Sequence, residues 1–348
     1  MTAKSSILNA AHRANEVNIQ FKIKDRIDSG YTRIDPSRIA EETGITVMFQ
    51  PLDKLLGAFL REENRLGILI NLARPAGLIH MTCAHELGHF FLNHPTTADT
   101  KIADVHQSEL IERQADQFAY SLLAPNWLIT LIARIKNWGR IELQKPEIIY
   151  QLSLRLGISF SATIFSLVRH NHISNAIGNN ISGIAPAKLK KQLLGNFKIK
   201  NPNSDVWLLD KADSQLIIEP RVDDVFVLEL QSHFSSGYIW ELDEVIKEGY
   251  RLEPILLNAE EITPSASLIK TVAVGQSSKH RCIVFPNYFD EEQTIESTNS
   301  ISLTESQPWT NTNLDNPTYS FSPEYEILRV GLSSIAKKRI VTESRVNL

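Results

Sequence analysis

Five residues constrain this chain more than any others: His85-Glu86-Leu87-Gly88-His89, set inside the apolar run from Leu78 to Asn93 and followed by His94-Pro95. A run of that length without internal proline predicts a helix that stops before Pro95, because proline cannot continue the backbone ladder. Residues four apart share one face of a helix, so both imidazoles can reach a single zinc ion. Glu86, beside the first of them, is placed to orient a water in the open fourth position of zinc. From there it can take a proton during attack on a peptide carbonyl and pass it to the leaving amine.

Zinc in such a site needs a third protein ligand. A second helix is predicted from about Ser108 to Leu123, capped by Asp104 or Ser108 and ended by Pro125, with Leu110, Ala115, Phe118, Ala119 and Leu122 at helical spacing. Glu112 stands on it, twenty-three residues after His89, and Asp116 follows one turn later on the same face. Glu112 is the candidate ligand. Asp116 can accept from the free ring N–H of a liganding histidine and so fix its tautomer. Two histidines and two carboxylates against an apolar helix pair would be costly to bury without a metal. Around them, Cys83 reads as a small buried filler, and His94 and His106 flank the site as candidate substrate contacts. Tyr120 either packs or donates to an oxyanion.

Upstream, Asp35-Pro36 through Gly44 has a capping aspartate, a proline at the first helical position and a terminating glycine, the signature of a short helix. Ile45 to Phe49, Gly57 to Arg61 and Gly67 to Asn71 read as three strands of a small antiparallel sheet. Residues 131–200 carry eleven lysines or arginines against two glutamates, whereas the whole chain of 348 residues has a net charge of -4. Helices are expected there at Pro146 to Leu156 and Ser161 to Asn171. Beyond Pro202 short alternating runs such as Val225 to Leu230, Arg281 to Phe285 and Tyr325 to Leu332 predict an all-β domain, with Asp290 to Ser320 as a long loop.

The length favours two or three domains, and 43% apolar with 22% charged residues excludes a disordered or fibrous chain. Two cysteines, Cys83 and Cys282, make no disulfide framework. The N-terminus lacks the apolar core of a signal peptide and the apolar runs stay short of a span, so a cytoplasmic protein with no membrane partner is expected.

Leu66 to Asn71, Leu78 to His94 and Glu112 to Pro125 (Glu-Arg-Gln-Ala-Asp-Gln-Phe-Ala-Tyr-Ser-Leu-Leu-Ala-Pro) together resemble the ImmA/IrrE family of metallopeptidases over roughly residues 5–130. Ala124 stands where many relatives have methionine. The resemblance implies a gluzincin-like site with one Zn2+ held by His85, His89 and Glu112, and Glu86 as base. It also implies a substrate strand laid along the edge strand ending at Asn71, which makes Asn71 a candidate substrate or oxyanion contact beside Tyr120 and His106. The substrate class implied is a transcriptional repressor or antitoxin-like regulator.

The segment Ile149 to Val168 looks like a helix-turn-helix, with Gly157 at the turn. Its second helix begins Ser161-Ala-Thr-Ile-Phe-Ser, poor in the polar side chains a DNA reader presents. Packing or protein docking is therefore expected, with DNA contact through the basic 131–200 region as the alternative. Further on, Phe234 to Trp240, Ile301 to Thr310 and Val274 to Phe285 resemble the loops and strands of chagasin-type inhibitors of papain-like cysteine peptidases. That resemblance implies an immunoglobulin-like β-sandwich with recognition loops at Gly237, Tyr238, Trp240, Pro308 and Trp309, and a papain-like peptidase as a candidate partner. Phe234-Ser-Ser-Gly replaces the usual Asn-Pro-Thr-Thr-Gly, and Gln307 replaces the arginine before Pro-Trp. The expected organisation is thus an α+β multidomain chain: a zinc metallopeptidase domain at 1–130, a basic helical segment at 131–200, and a β-sandwich at 201–348. The functional expectation is a zinc endopeptidase whose C-terminal domain recognises or regulates. The alternatives are a non-catalytic zinc-containing regulator and a cysteine-peptidase inhibitor or sensor.

Overall fold

The computed structural model describes residues 3–62, 65–95, 105–195, 197–199, 201–231, 233, 237–241, 251–255, 279–285, 299–307 and 319–327. They fall into two compact units, one within Met1–Gly183 and one within Ile184–Leu328.

The first unit opens with α1 (Ala3–Gln20) and α2 (Ile23–Asp28), followed by α3 (Pro36–Glu42). The capping aspartate of α3 behaves as its chemistry predicts: Asp35 accepts from the backbone N–H groups of Ser37 and Arg38. Three strands follow, β1 (Thr46–Gln50), β2 (Gly57–Glu62) and β3 (Arg65–Asn71), in the order β1-β3-β2. β2 pairs antiparallel with β3, but β1 pairs parallel with it, Val47 opposite Ile68. The sheet is therefore mixed and not antiparallel throughout. Alternation along a strand reports which face is buried, not which strand lies beside it. Here residues 51–56 carry the chain across the sheet where a hairpin turn would have folded it back.

That crossing segment accounts for Asn71. The side chain is fully buried; its amide donates to Leu52 O and Leu55 O at 2.7 Å and its oxygen accepts from Leu52 N and Ala73 N. Asn71 is thus a loop fastener and not a substrate contact, and β3 is the central strand of the sheet and not its edge.

Five helices surround the sheet's partner face or follow from it: α4 (Ala76–Phe91), α5 (Val105–Leu123), α6 (Asn126–Ile135), α7 (Pro146–Leu156) and α8 (Phe160–Arg169), with α9 (Asn175–Ser182) closing the unit. α1 lies against α5 through Ala10, Ala14 and Val17, all fully buried. At the far end of α4 an aromatic cluster fills the core: Phe91 stacks on Phe118 at 5.8 Å and meets Phe21 edge-on at 6.1 Å, while Phe90 leans on Phe59 of β2 at 5.9 Å. Contrary to the expectation that every apolar run stays short of a span, Glu109–Ile135 is by length and composition long and apolar enough to cross a membrane, although most of its apolar window is buried inside this unit.

α7 and α8 are bent 99° from one another, with Gly157 at φ +69° and the Ser159 side chain capping α8 through Ala162 N. The turn seats on the first turn of α4: a Cβ at Gly77 would lie 2.6 Å from Ile158 C and Ser159 N. Along α8 only Ser161 and Phe165 are exposed.

His80, one turn and a residue before the motif, donates from Nε2 to Ile34 O at 2.7 Å. Burial, reinforced by Arg33, lowers its pKa from 6.5 to about 3. The folded state therefore refuses a proton that the unfolded chain takes up below pH 6.5, so stability is unaffected by this group above that pH and falls below it. Urea unfolding between pH 7 and pH 5 should show a loss approaching about 1.4 kcal/mol per pH unit from this residue, and a His80→Gln chain should show a flatter profile.

The second unit begins with α10 (Pro186–Leu194), which packs on β4 (Val206–Leu209). It continues through β5 (Ile217–Ile218), β6 (Val225–Gln231), β7 (Ile239–Glu241), β8 (Arg251–Ile255), β9 (Lys279–Phe285), β10 (Asn299–Ser300), β11 (Leu303–Ser306), β12 (Tyr319–Phe321) and β13 (Glu324–Tyr325). The described strands make three sheets, β4-β6-β9-β8, β12-β11-β7 and β10-β13-β5. Trp207, Phe226, Ile283, Leu303 and Phe321 are buried within the unit, and the Trp207 indole donates to Asp224 at 3.0 Å. Three strands, β10 to β12, fall in the stretch read as a loop. β11 escapes an apolar pattern because a fully buried glutamate, Glu305, occupies an inward position; it accepts from the backbone N–H of His233 at 2.9 Å and bonds the His233 ring at 2.6 Å.

Candidate metal centre

Two helices carry the site, and one missing side chain sets their spacing. Gly88 faces α5 so closely that a Cβ there would lie 3.1 Å from Ala115 Cα and O and 3.2 Å from Phe118 Cδ1. Small residues at the crossing let the backbones approach, which brings His85 and His89 on α4 within reach of Glu112 and Asp116 on α5. His85 Nε2 is 3.1 Å from Glu112 Oε2, His89 Nε2 is 3.7 Å from Glu112 Oε1, and the two Nε2 atoms are 3.0 Å apart. One ligand atom from each of His85, His89 and Glu112 lies within 4.8 Å of the others. On its far side, His85 Nδ1–H donates to Asp116 Oδ1 at 2.8 Å. Asp116 can only accept in its ionised form, so a neutral His85 keeps its proton on Nδ1 and has its Nε2 lone pair free for a metal. The four residues meet as their spacing predicts. The imidazoles are mostly covered, while the carboxylates are more than half exposed.

The electrostatics ask for a cation. Burial opposes the charged form of His85, but the bonds to Asp116 and Glu112 outweigh it and raise its pKa to about 10. Burial and the charge on His85 lower His89 to about 4. The Glu112 carboxyl is held below its ordinary value, chiefly by its bond to His85. Two imidazole lone pairs and a carboxylate converging on one point need a positive charge between them: a proton serves one pair at a time, and a divalent cation serves all three. Nitrogen and carboxylate donors of this kind fit a borderline metal such as zinc.

Glu86 lies outside the ligand group, facing β2. Burial raises its pKa, offset by His85, and the backbone N–H of Phe59 bonds to it. A Cβ at Gly57 would sit 2.5 Å from Thr82 Cγ2 and 3.3 Å from Glu86 Oε1, so the absence of a side chain at Gly57 keeps room for the carboxylate. β2, not β3, is the outer strand on this side of the sheet.

The remaining candidates fare differently. Tyr120 stands one turn beyond Asp116, half-buried, its ring tilted 46° against that of the exposed Phe165 at 4.7 Å; burial and the Asp116 charge push its hydroxyl pKa up. His106 is in the first turn of α5, its side chain outside the described residues. Gly237 has φ +78°, Tyr238 N–H donates to His233 O at 3.4 Å, and the Trp240 indole donates to Gln231 O at 3.0 Å, so Trp240 fastens β7 to the end of β6. Pro308 and Trp309 lie outside the described residues.

His94, read from the sequence as a flanking candidate substrate contact, instead meets a ligand candidate. His94 is buried, and its Nδ1 lies 3.1 Å from Nδ1 of His89. The signal was present in Asn93, which adopts φ +54°. Asn93 N–H donates to Phe90 O and His94 N–H to His89 O, a Schellman ending that folds the next side chain back under the helix.

Residues 40–166 match the family model of the IrrE N-terminal-like domain, Peptidase M78. No curated protein matches the chain. Among solved structures, the chain is similar to the crystal structure of the cysteine protease inhibitor EhICP2 from Entamoeba histolytica, at 16% identity and a TM-score of 0.23, over 37% of this chain and 100% of that one. His85, His89, Glu112 and Asp116 all lie inside the matched span, so it is the stretch 40–166 that is similar to an IrrE N-terminal-like, metallopeptidase-like domain.

Proposed function

We propose that this protein is a zinc-dependent endopeptidase that hydrolyses peptide bonds in a regulatory protein, a transcriptional repressor or an antitoxin-like regulator. The observation that carries the reading is the meeting of His85, His89 and Glu112 around one point with Glu86 beside it. Zinc held there would polarise a peptide carbonyl and bring the pKa of a coordinated water toward neutrality. His85, His89 and Glu112 bind it, and Asp116 fixes the His85 ring. Glu86 takes the proton of the attacking water on its carboxylate and delivers it to the departing amine; its upward-shifted pKa suits a group that must both accept and give.

An extended substrate segment would lie along β2, the outer strand, by β-augmentation. The exposed Leu60 on that strand and Leu55 and Leu56 just before it favour apolar substrate side chains there. For residues 131–200, a helix α8 that exposes only Ser161 and Phe165 supports packing or protein docking rather than DNA contact. The C-terminal region, 201–348, is proposed as an immunoglobulin-like recognition or regulatory module, and the whole as a cytoplasmic enzyme.

The test uses the full chain. Loaded with one equivalent of zinc and added to a lysate, it should generate a small set of new protein N-termini, identified by mass spectrometry, concentrated in transcriptional regulators. Chelator-treated protein should generate none of them. Identical sets from loaded and chelated protein would sink the reading.

A further inference from the structure

We propose that His94, Gln114 and Ser6 form a hydrogen-bonded chain that locks His89 in the tautomer whose Nε2 lone pair faces the metal, so that helix α1 contributes to metal affinity. The inference rests on the metal-binding reading above.

The chain of bonds starts at the one group that cannot change its role. The main-chain carbonyl of Ser6, on α1, only accepts. Gln114 Nε2 lies 3.4 Å from it and bonds the Ser6 hydroxyl as well. The amide of Gln114 is thereby oriented: its NH2 faces α1, and its oxygen faces the other way, toward His94 Nε2 at 3.2 Å. An amide oxygen only accepts, so His94 Nε2 must carry the proton. Neutral His94 then has a bare Nδ1, and that atom accepts across 3.1 Å from Nδ1 of His89. A His89 that carries its proton on Nδ1 leaves Nε2 free, and Nε2 is the atom that lies beside His85 Nε2 and Glu112. Reversing any link places two acceptors face to face: with the proton of His89 on Nε2, His94 would have to donate from Nδ1 and oppose Gln114 Oε1 with a lone pair.

The two liganding histidines are therefore held by different means. His85 is held by a carboxylate one helix away. His89 is held by a neutral relay that runs from the end of α4 through α5 into α1, and the αL residue Asn93 makes it reachable. Ser6 lies outside the span matched by the family, 40–166, so this contribution of α1 is a property of the chain beyond its matched domain. His94, Gln114 and Ser6 are positioning residues: none of them touches the metal point.

Zinc dissociation constants measured on the full chain by competition with a chromophoric chelator provide the test, together with the visible absorption of the cobalt-substituted protein. His94→Leu should weaken zinc about 10- to 100-fold, the usual effect of removing a group that supports a ligand, and should alter the cobalt bands. His94→Asn, whose Oδ1 can accept where Nδ1 did, should recover most of the affinity, a rescue that a mere packing role would not give. Gln114→Leu should weaken zinc several-fold by freeing the tautomer of His94. A wild-type chain that takes up no metal overturns the metal reading and this inference with it. A wild type that binds one zinc, with His94→Leu folded and binding as tightly with the same cobalt spectrum, overturns the inference alone. If His94→Leu does not fold, unchanged affinity in Gln114→Leu has the same force.

Discussion

A Glu86→Gln chain should bind zinc as the wild type does and cleave its substrate about 10²- to 10⁴-fold more slowly, nearer the larger figure because one carboxylate serves both proton transfers. The amide is close in size to the carboxylate and can keep the position beside Gly57 and the Phe59 backbone. It cannot take a proton from water. In free-energy terms the loss corresponds to roughly 3–5 kcal/mol of transition-state stabilisation. Steady-state cleavage of an identified substrate, with metal content measured on the same samples, checks it. A variant that retained wild-type turnover would remove Glu86 from the chemistry.

The second large effect concerns the carboxylates of α5, which the geometry ranks. Glu112 reaches both imidazoles, at 3.1 and 3.7 Å; Asp116 reaches only the outer nitrogen of His85. Glu112→Ala should therefore reduce zinc affinity by more than about 100-fold, beyond the range for supporting groups, while Asp116→Asn should stay between about 10- and 100-fold. Both carboxylates are largely exposed, so neither change should lower the unfolding midpoint of the metal-free chain appreciably. Competition titration beside urea unfolding of the same two variants decides the ranking. Equal losses would mean that Asp116 acts as a ligand too.

The site was legible because its spacing is a property of one helix type: His85 and His89 are four positions apart, as are Glu112 and Asp116, which puts each pair on one face whatever the rest of the chain does. What was hidden depends on contacts between distant segments. The parallel pairing of β1 with β3 cannot be read from three alternating runs, since alternation is the same in either direction. α1 went unread because its inner face is made of Ala10 and Ala14, small residues that give little periodic signal yet permit the close approach to α5. β11 was concealed by Glu305, whose burial makes sense only once His233 stands opposite it. Asn71 looked like the end of an edge strand and is instead the fastening of residues 51–56, a role carried by its side-chain amide and invisible in its neighbours.

The close crossing at Gly88 and Ala115 has a wider consequence. The distance between the histidine pair and Glu112 is dictated by how near two backbones can come, a quantity that no change of ligand side chain can adjust. Any ion held between them would then meet a cage whose width is set from beneath, where Gly88 abuts Ala115. A methyl group added at Gly88 would act as a shim, widening the cage by a few tenths of an ångström while leaving every coordinating atom chemically unaltered.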